Sequence, residues 1–329
     1  MRTEATWIAR FAGIRVLVIG DAMLDEFIWG KVSRISPEAP VPVVNVTGAS
    51  YYPGGAANVA RNLREFGAKT SLLGIVGNDP HGERLCALLV DGGIDISGVQ
   101  RGATHQTTVK TRIIARNQQV VRVDRERLAP LDAAQRKRAL AFVDAAMRRV
   151  DGIVVADYGK GLLDQAMADH ICQLARNRRK VLAVDPHPHT SLVWRGATVI
   201  KPNRTEAFHA ASMQQTPPVD PPTADQPLLQ AAGELLRSWE PECLLVTLGE
   251  QGMLLFTGRA APYHIPTRAK EVFDVSGAGD TAIAALTLGL LAGANARVAA
   301  ELANRASGIA VGKLGTATVT PAELAASYS

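Results

Sequence analysis

Short runs of apolar residues recur along the chain, and each is followed by a polar residue and then by a segment with helical spacing. The runs are continuous rather than alternating, as expected of strands in a sheet that is covered on both faces. They occupy residues 14–19, 152–156, 181–184, 197–200 and 243–246. This order predicts parallel β-α units in a three-layer α/β/α fold with a mostly parallel central sheet.

A polar residue follows each of the five runs. In a parallel sheet the carboxyl ends of the strands share one edge, and ligands collect there. A single Asp after a strand more often caps a helix or forms a turn. Five polar residues together nevertheless indicate a shared crevice. They are Asp21, Asp157, Asp185, Asn203 and Thr247.

Two other stretches, residues 28–47 and 103–124, alternate apolar and polar residues with a period of two. This alternation is typical of half-exposed antiparallel strands. The prolines of the first stretch restrict it to a sheet edge or an extended arm. We therefore predict a small β lid inserted into the α/β body, with residues 1–329 forming a single domain.

The second of these stretches predicts a hairpin with its turn centred on Asn117. In that register Lys110 faces Asp124, and Arg112 faces Arg122. Two opposed arginines repel each other unless an anion lies between them. The alternative is a solvated face on which the two guanidinium groups splay apart, and the sequence leaves both interpretations open.

Composition narrows the classes of function. With 329 residues, 47% of them hydrophobic, the chain can bury a core without disulfides. Aromatic residues make up only 5%, and the basic residues behind the net charge of +5 are dispersed, so we expect no nucleic-acid partner. An anionic small-molecule substrate remains open.

The cysteines and the apolar stretches bear on the cellular compartment. Three widely separated cysteines suggest neither a disulfide framework nor a zinc knuckle, and they fit reduced thiols. Residues 1–13 lack the apolar region of a signal peptide. The longest uncharged stretch, residues 281–296, is shorter than the roughly 20 residues of a membrane span. We expect a soluble, cytoplasmic protein without a membrane partner.

The sharpest local signal is D-V-S-G-A-G-D at residues 274–280, directly before an apolar helix predicted to start near Thr281. Small residues let the backbone approach an anion, and a helix N-terminus directs free N–H groups at it. Asp280 would stand in the first helical turn, where its carboxylate can accept a proton from an attacking hydroxyl. The alternative is an Asp-rich cap on a tightly packed helix.

Other nucleotide-binding patterns fit poorly. Residues 277–282 match G-x-G-x-x-A, but they lie late in the chain, and the next acidic residue, Glu301, falls inside a helical segment. A nicotinamide-dependent dehydrogenase is therefore disfavoured. The P-loop pattern is absent, because no Gly-Lys pair is followed by Ser or Thr.

A pair of glycines, Gly54 and Gly55, opens a predicted helix that runs to about Phe66. Glycines let a hydroxyl-rich ligand approach the backbone, and the Asn58 amide offers both a donor and an acceptor. As a bare motif the pair more often marks a tight turn.

Several of these motifs, in this order, resemble the ribokinase-like carbohydrate kinases of the PfkB family over about residues 13–322. They resemble the family's sugar-binding signature, its N-x-x-E motif for magnesium and phosphate, its nucleotide-contacting loop and its C-terminal signature. In this chain the four motifs are Gly54-Gly55 with Asn58, residues 203–206, residues 247–252 and residues 274–280.

Within that family, residues 20–25, 34–43 and 312–320 resemble the heptose-7-phosphate kinases. This resemblance implies ATP-dependent phosphorylation of D-glycero-D-manno-heptose 7-phosphate at the anomeric C1 hydroxyl, giving heptose 1,7-bisphosphate on the path to ADP-heptose and lipopolysaccharide. It implies a stand-alone kinase, because the H-x-G-H signature of the adenylyltransferase domain is absent.

The patterns and the resemblance together assign roles to single residues. Asp280 is expected to be the general base, and the amides of Gly277, Ala278 and Gly279 are expected to hold the transferred phosphoryl group. The remaining assignments are Asp21, Gly54, Gly55 and Asn58 to sugar hydroxyls, Lys110 and Arg122 to the 7-phosphate, and Asn203, Glu206, Thr247, Gly249, Gly252 and Asn304 to ATP, with Asn203 and Glu206 on the Mg²⁺ side.

The family also implies a homodimer formed through the β lid and a monovalent cation such as K⁺ near the anion hole. Two alternatives remain for the function. One is another sugar-phosphate kinase, such as a phosphofructokinase-like enzyme, and the other is a non-catalytic protein that binds a sugar phosphate.

Overall fold

A computed structural model describes residues 4–115, 118–188, 190–258, 260–269 and 271–328. The strands are β1 (Arg15–Gly20), β2 (Ala22–Ile35), β3 (Pro42–Gly55), β4 (Lys69–Gly77), β5 (Asp95–Gly102), β6 (Thr108–Ala115), β7 (Gln118–Arg125), β8 (Gly152–Ala156), β9 (Val181–Asp185), β10 (Val199–Ile200), β11 (Cys243–Thr247), β12 (Met253–Thr257) and β13 (Tyr263–Ile265). The helices are α1 (Glu4–Ala9), α2 (Ala56–Glu65), α3 (Pro80–Asp91), α4 (Ala133–Ala146), α5 (Gln165–Asn177), α6 (Arg204–Ala210), α7 (Gln226–Trp239), α8 (Ala278–Leu291), α9 (Ala296–Ala310) and α10 (Pro321–Ala326). Across these described ranges, no helix combines the length and apolarity needed to cross a membrane.

Nine of the described strands form the central sheet, in the order β13-β12-β11-β10-β9-β8-β1-β4-β5. Neighbours from β11 to β5 pair in parallel, whereas β12 and β13 extend the sheet antiparallel. The five predicted apolar runs correspond to β11, β10, β9, β8 and β1, which lie side by side. The predicted α/β class with a mostly parallel sheet is confirmed, and the polar ends of these strands share one edge.

The core lies on both faces of this sheet, as β1 illustrates. Val16 and Val18 belong to a core cluster with residues of α2, α3, α8 and α9. Leu17 and Ile19 point to the other face and belong to a cluster with residues of α4, α5, α6 and α7. Because every strand residue here meets a helix layer, the sequence is apolar without alternation.

Four strands form the second sheet, the lid, in the order β3-β2-β6-β7. Both stretches with period-two alternation contribute strands to it. The strands β2 and β3 are longer than the alternation indicated, because β2 begins at Ala22 and β3 ends at Gly55. Residues 22–27 are all buried, which removes the alternation that marks the exposed part of the lid.

Helix α8 begins at Ala278, three residues before the predicted start. Residues 280–289 are all buried, because α8 packs in the core cluster with α2 and α9. A helix that is enclosed on all sides is apolar all round, as this sequence is. The same packing buries the first turn of α8, and Asp280 with it.

Candidate active site

The first turn of α8 lines a cavity together with residues that follow β8, β9 and β10. The turn is capped by Gly277, whose backbone is left-handed (φ 80°); a Cβ atom there would lie 2.8 Å from Asn58 Nδ2. The amides of Gly277 and Gly279 have no hydrogen-bond partner in the described part of the chain. The Ala278 N–H lies 3.3 Å from Val275 O and is the least available of the three predicted donors. Free amides at a helix start can hold an anion.

The carboxylate of Asp280 is held from two sides and is only 6% exposed. Asn58 Nδ2 donates to Oδ2 at 2.7 Å, and the Tyr158 hydroxyl donates to Oδ1. Burial raises the pKa of Asp280 to about 7, although both hydrogen bonds act in the opposite direction. A carboxylate with a pKa near neutrality, and with a free lone pair on each oxygen, is suited to accept a proton.

A buried ion pair lies beside this helix start. Lys201 Nζ is 2.9 Å from Asp185 Oδ1, and a Cβ atom at Gly279 would lie 3.5 Å from the same nitrogen. Burial, the largest single effect, disfavours the ammonium ion, but the charges of Asp185, Glu206 and Asp280 together outweigh it, so the pKa of Lys201 is raised. The structure therefore holds a fixed positive charge next to the predicted anion hole.

Two cavities meet at the N-terminus of α8. One of about 510 Å³ contains Asp280, Lys201 and Glu206 in its walls, and the other, of about 480 Å³, extends between β12 and α9. The second has largely apolar walls that include Met253 and Ala282. The residues that line both are Thr247, Gly249, Val275 and Gly279. A long ligand with an apolar and an anionic end could span both cavities.

Asn203 and Glu206 form the capping box of α6. The Asn203 side chain accepts from the Glu206 N–H at 2.9 Å, and Glu206 Oε2 accepts from the Asn203 N–H at 2.7 Å. Burial raises the pKa of Glu206 to about 7, and Asp185 adds to the effect. The N-x-x-E spacing thus has a local structural cause, and it fixes a carboxylate in the cavity wall.

The other predicted nucleotide residues surround the second cavity. Gly252 has a left-handed backbone, and a Cβ atom there would lie 2.1 Å from Ile265 O, so no side chain fits. Asn304 on α9 donates from Nδ2 to Pro266 O at 2.8 Å, which ties the helix to the cavity wall. Thr247 ends β11 and lines both cavities.

On the other side of Asp280, the two glycines sit at the end of β3 against β2. A Cβ atom at Gly54 would lie 2.6 Å from Asp25 Oδ2, and one at Gly55 would lie 2.7 Å from Asp21 O. The Asp25 carboxylate pairs with Arg112 of the lid, Nη1 to Oδ1, at 2.5 Å. The glycines therefore let β3 pack closely against the Asp25 carboxylate and the backbone of β2.

Asp21, which the sequence analysis assigns to a sugar hydroxyl, has its carboxylate engaged with the backbone of a neighbouring loop. Its carboxylate is 4% exposed and accepts the backbone N–H groups of Tyr158, Lys160 and Leu162, at 3.0, 3.0 and 3.3 Å. Through these bonds Asp21 anchors the loop after β8. This contact corresponds to the other interpretation from the sequence, an Asp that forms a turn after a strand.

The lid hairpin has the predicted register, with Lys110 opposite Asp124 and Arg112 opposite Arg122. The predicted turn residue Asn117 lies outside the described residues. The two arginines do not need an anion between them, because Arg112 pairs with Asp25 and Arg122 pairs within its own strand with Asp124. Lys110 also lies 3.5 Å from Asp124.

Sequence reasoning missed Asp25, Tyr158 and Lys201 as parts of the site, and it considered Arg112 only opposite Arg122 and not with Asp25. Asp25 lies in the buried root of β2, where no alternation indicates which face it occupies. Tyr158 follows Asp157 directly, and Lys201 stands two residues before Asn203, so both could have been found by extending the strand-end argument by a residue or two. Among the described residues, no group of three or more His, Cys, Asp or Glu side chains is placed to hold a metal ion by itself.

Comparisons with known proteins show the family to which the chain belongs. The model of the pfkB family carbohydrate kinases matches residues 14–323. The bifunctional protein HldE of Citrifermentans bemidjiense is 43% identical over 326 residues, which cover 99% of this chain and 65% of that protein. The chain thus spans about two thirds of the length of this relative.

Two solved structures share the fold. Phosphofructokinase-2 from Escherichia coli, in complex with potassium, has a TM-score of 0.75 at 19% identity, with coverage of 96% of this chain and 98% of that chain. Ribokinase from Arabidopsis thaliana, complexed with ribose and ATP, has a TM-score of 0.70 at 16% identity and the same coverage. The fold is ribokinase-like, and by the family match the chain belongs to the pfkB family of carbohydrate kinases.

Proposed function

We propose that this chain transfers the γ-phosphoryl group of ATP to the C1 hydroxyl of D-glycero-D-manno-heptose 7-phosphate. The observation that carries the proposal is the position of Asp280, a buried carboxylate with a pKa near 7, in the first turn of a helix where two cavities meet. The heptose-kinase motifs at residues 20–25, 34–43 and 312–320 support this choice of sugar. The similarity to HldE supports it as well.

In the proposed reaction Asp280 takes the proton of the C1 hydroxyl. The hydroxyl oxygen forms a bond to the γ-phosphorus as the bond from that phosphorus to the β,γ-bridging oxygen breaks, and ADP leaves. Free amides at Gly277 and Gly279 and the Lys201 ammonium stabilise the negative charge on the transferred group. Such transfers depend mainly on positioning and charge stabilisation, which a buried helix terminus supplies.

The residues on the nucleotide side fit ATP with Mg²⁺. The Glu206 carboxylate and the Asn203 amide are hard oxygen donors, and Mg²⁺ prefers such ligands together with water and phosphate oxygens. When bound, Mg²⁺ would neutralise phosphate charge. We assign the adenosine to the apolar cavity beside Gly252 and Asn304. The potassium bound by phosphofructokinase-2 supports a monovalent cation in this chain as well.

On the sugar side, we assign the sugar hydroxyls to the backbone at Gly54 and Gly55 and to the amide of Asn58. Asp25 joins this set, because its carboxylate borders Gly54. We assign the 7-phosphate to Lys110 and Arg122 of the lid. In support, Lys110 is the register neighbour of Asp25 across β2 and β6.

We also propose a homodimer formed through the lid. Val121 and Val123 on β7 are 45% and 41% exposed, and they alternate with Arg122 and Asp124, so they occupy the opposite face of the strand. Ile113 lies opposite Val121 and extends the apolar row. Sedimentation equilibrium should give twice the chain mass; a monomer at micromolar concentration would contradict the dimer.

The first prediction concerns the base. Asp280→Asn should lower kcat about 10²–10⁴-fold, the usual worth of general-base catalysis, while heptose 7-phosphate still binds. The matched control is Asp164→Asn, the same chemical change at the N-cap of α5, where Asn caps equally well and kcat should not change. Turnover of Asp280→Asn at the wild-type rate would remove Asp280 from the mechanism.

The measurement is ADP release from Mg-ATP with three acceptors: D-glycero-D-manno-heptose 7-phosphate, fructose 6-phosphate and ribose. Turnover confined to the heptose supports the proposed substrate. Preference for fructose 6-phosphate would keep the base and reject the substrate assignment. Heptose binding without ADP release from any acceptor would indicate a sugar-phosphate-binding protein.

The second prediction concerns the lid. Lys110→Met should raise KM for heptose 7-phosphate about tenfold, because a charge-assisted contact to phosphate is lost, and leave KM for ATP unchanged. The control is Lys137→Met, the same chemical change at an exposed position of α4, outside the lid. Equal KM values for heptose 7-phosphate in the two variants would contradict the assignment.

A further inference from the structure

The loop that follows β8 contains two glycines, Gly159 and Gly161, yet one side chain holds its backbone by several hydrogen bonds. The Asp21 carboxylate accepts three N–H groups of this loop, from Tyr158, Lys160 and Leu162. This internal anchor fixes the direction in which the Tyr158 side chain leaves the backbone.

The Tyr158 hydroxyl ends at Asp280 and donates to Oδ1, opposite the Asn58 amide that donates to Oδ2. Burial raises the pKa of Tyr158 well above its ordinary value, and the charge of Asp280 adds to the effect. The phenol therefore keeps its proton throughout the working pH range and remains a donor.

We propose that Tyr158 is a positioning residue for the base, an inference that rests on the proposed function. Its hydroxyl and the Asn58 amide fix the plane of the Asp280 carboxylate, so that the remaining lone pairs face the sugar. Because it donates to the ionised carboxylate, Tyr158 also favours the form of Asp280 that can accept a proton.

The charged groups around Asp280 determine in which direction its pKa changes when the Tyr158 hydroxyl is removed. Asp185, at the end of β9, raises the pKa of Asp280, and Lys201, after β10, lowers it. Asp25 of the lid acts on Tyr158 and keeps it protonated. Without the Tyr158 hydroxyl, burial and Asp185 still raise the pKa of Asp280, and Asn58 and Lys201 are left to lower it. The pKa of Asp280 must then rise.

The test is Tyr158→Phe, which keeps the ring and removes the donor. The acid limb of the kcat–pH profile should move up by about one pH unit, as expected for the loss of one charge-assisted hydrogen bond. At pH 7 kcat should fall several-fold and recover at higher pH, with KM for sugar and for ATP unchanged. A superimposable profile, a pH-independent loss or a raised sugar KM would each overturn the proposal.

The matched control is Tyr263→Phe. Tyr263 also donates its hydroxyl to a carboxylate, Glu301 Oε1, at 2.9 Å, but on β13 at the far edge of the sheet. The same chemical change there should leave the kcat–pH profile in place. A profile that moved equally in both variants would overturn the specific role of Tyr158.

A measurement without substrate separates this proposal from the choice of sugar. A carboxyl whose folded pKa lies above its unfolded value contributes stability below the unfolded pKa and loses it as pH rises through the folded pKa. In urea unfolding, the free energy of unfolding of Asp280→Asn should therefore rise relative to that of wild type from about pH 4 to pH 7. Above pH 7 the difference between the two should stay constant.

In the Tyr158→Phe background, the pH at which this difference in free energy levels off should be higher. The shift should equal, in pH units, the shift of the acid limb of the kcat–pH profile. An unchanged levelling point would overturn the proposal even if no tested sugar is phosphorylated. If the levelling point moves while the acceptor panel shows no turnover, the positioning of Asp280 stands and the proposed function fails.

Discussion

The burial of one carboxylate at the start of a buried helix is the constraint on which this site depends. Helix α8 is apolar all round because α2, α9 and the sheet enclose it, and its first turn carries Asp280 into that enclosure. A carboxylate in such surroundings needs donors. Asn58 from α2 and Tyr158 from the loop after β8 supply them. The same burial that packs the helix therefore sets the pKa of the base.

Residues from elements far apart in the chain meet around the buried Asp280 carboxylate. Gly277 has to lack a side chain because Asn58 reaches past it, and Gly279 leaves room beside Lys201. The lid reaches the proposed sugar side through Asp25, which lies in the root of β2 and pairs with Arg112. On the proposed nucleotide side, the capping box at the start of α6 holds Asn203 and Glu206 in place. Each contact is ordinary alone, and together they bring two cavities to the Asp280 carboxylate.

The sequence patterns predict the parallel strands, the lid register and the position of Asp280 in a first helical turn, because each depends on local periodicity or on small residues at a helix start. They do not predict which strand-end residue faces a ligand. Asp21 and Asp25 both follow β1 closely, yet the Asp21 carboxylate accepts backbone N–H groups, whereas the Asp25 carboxylate borders Gly54 and the proposed sugar site. The difference depends on the loop after β8, which is 137 residues away in sequence from Asp21. Tyr158 and Lys201 stand within two residues of the predicted strand-end positions, but their contacts with Asp280 and Asp185 depend on how separate elements pack.

The most direct test of this account is the pKa of Asp280 in the protein without substrate. ¹³C NMR of aspartate carboxyl carbons, assigned by the resonance lost in Asp280→Asn, follows the titration of that one group. The account predicts a midpoint near pH 7, as burial between Asn58 and Tyr158 requires. A midpoint near pH 4, the ordinary range of an exposed aspartate, would contradict it.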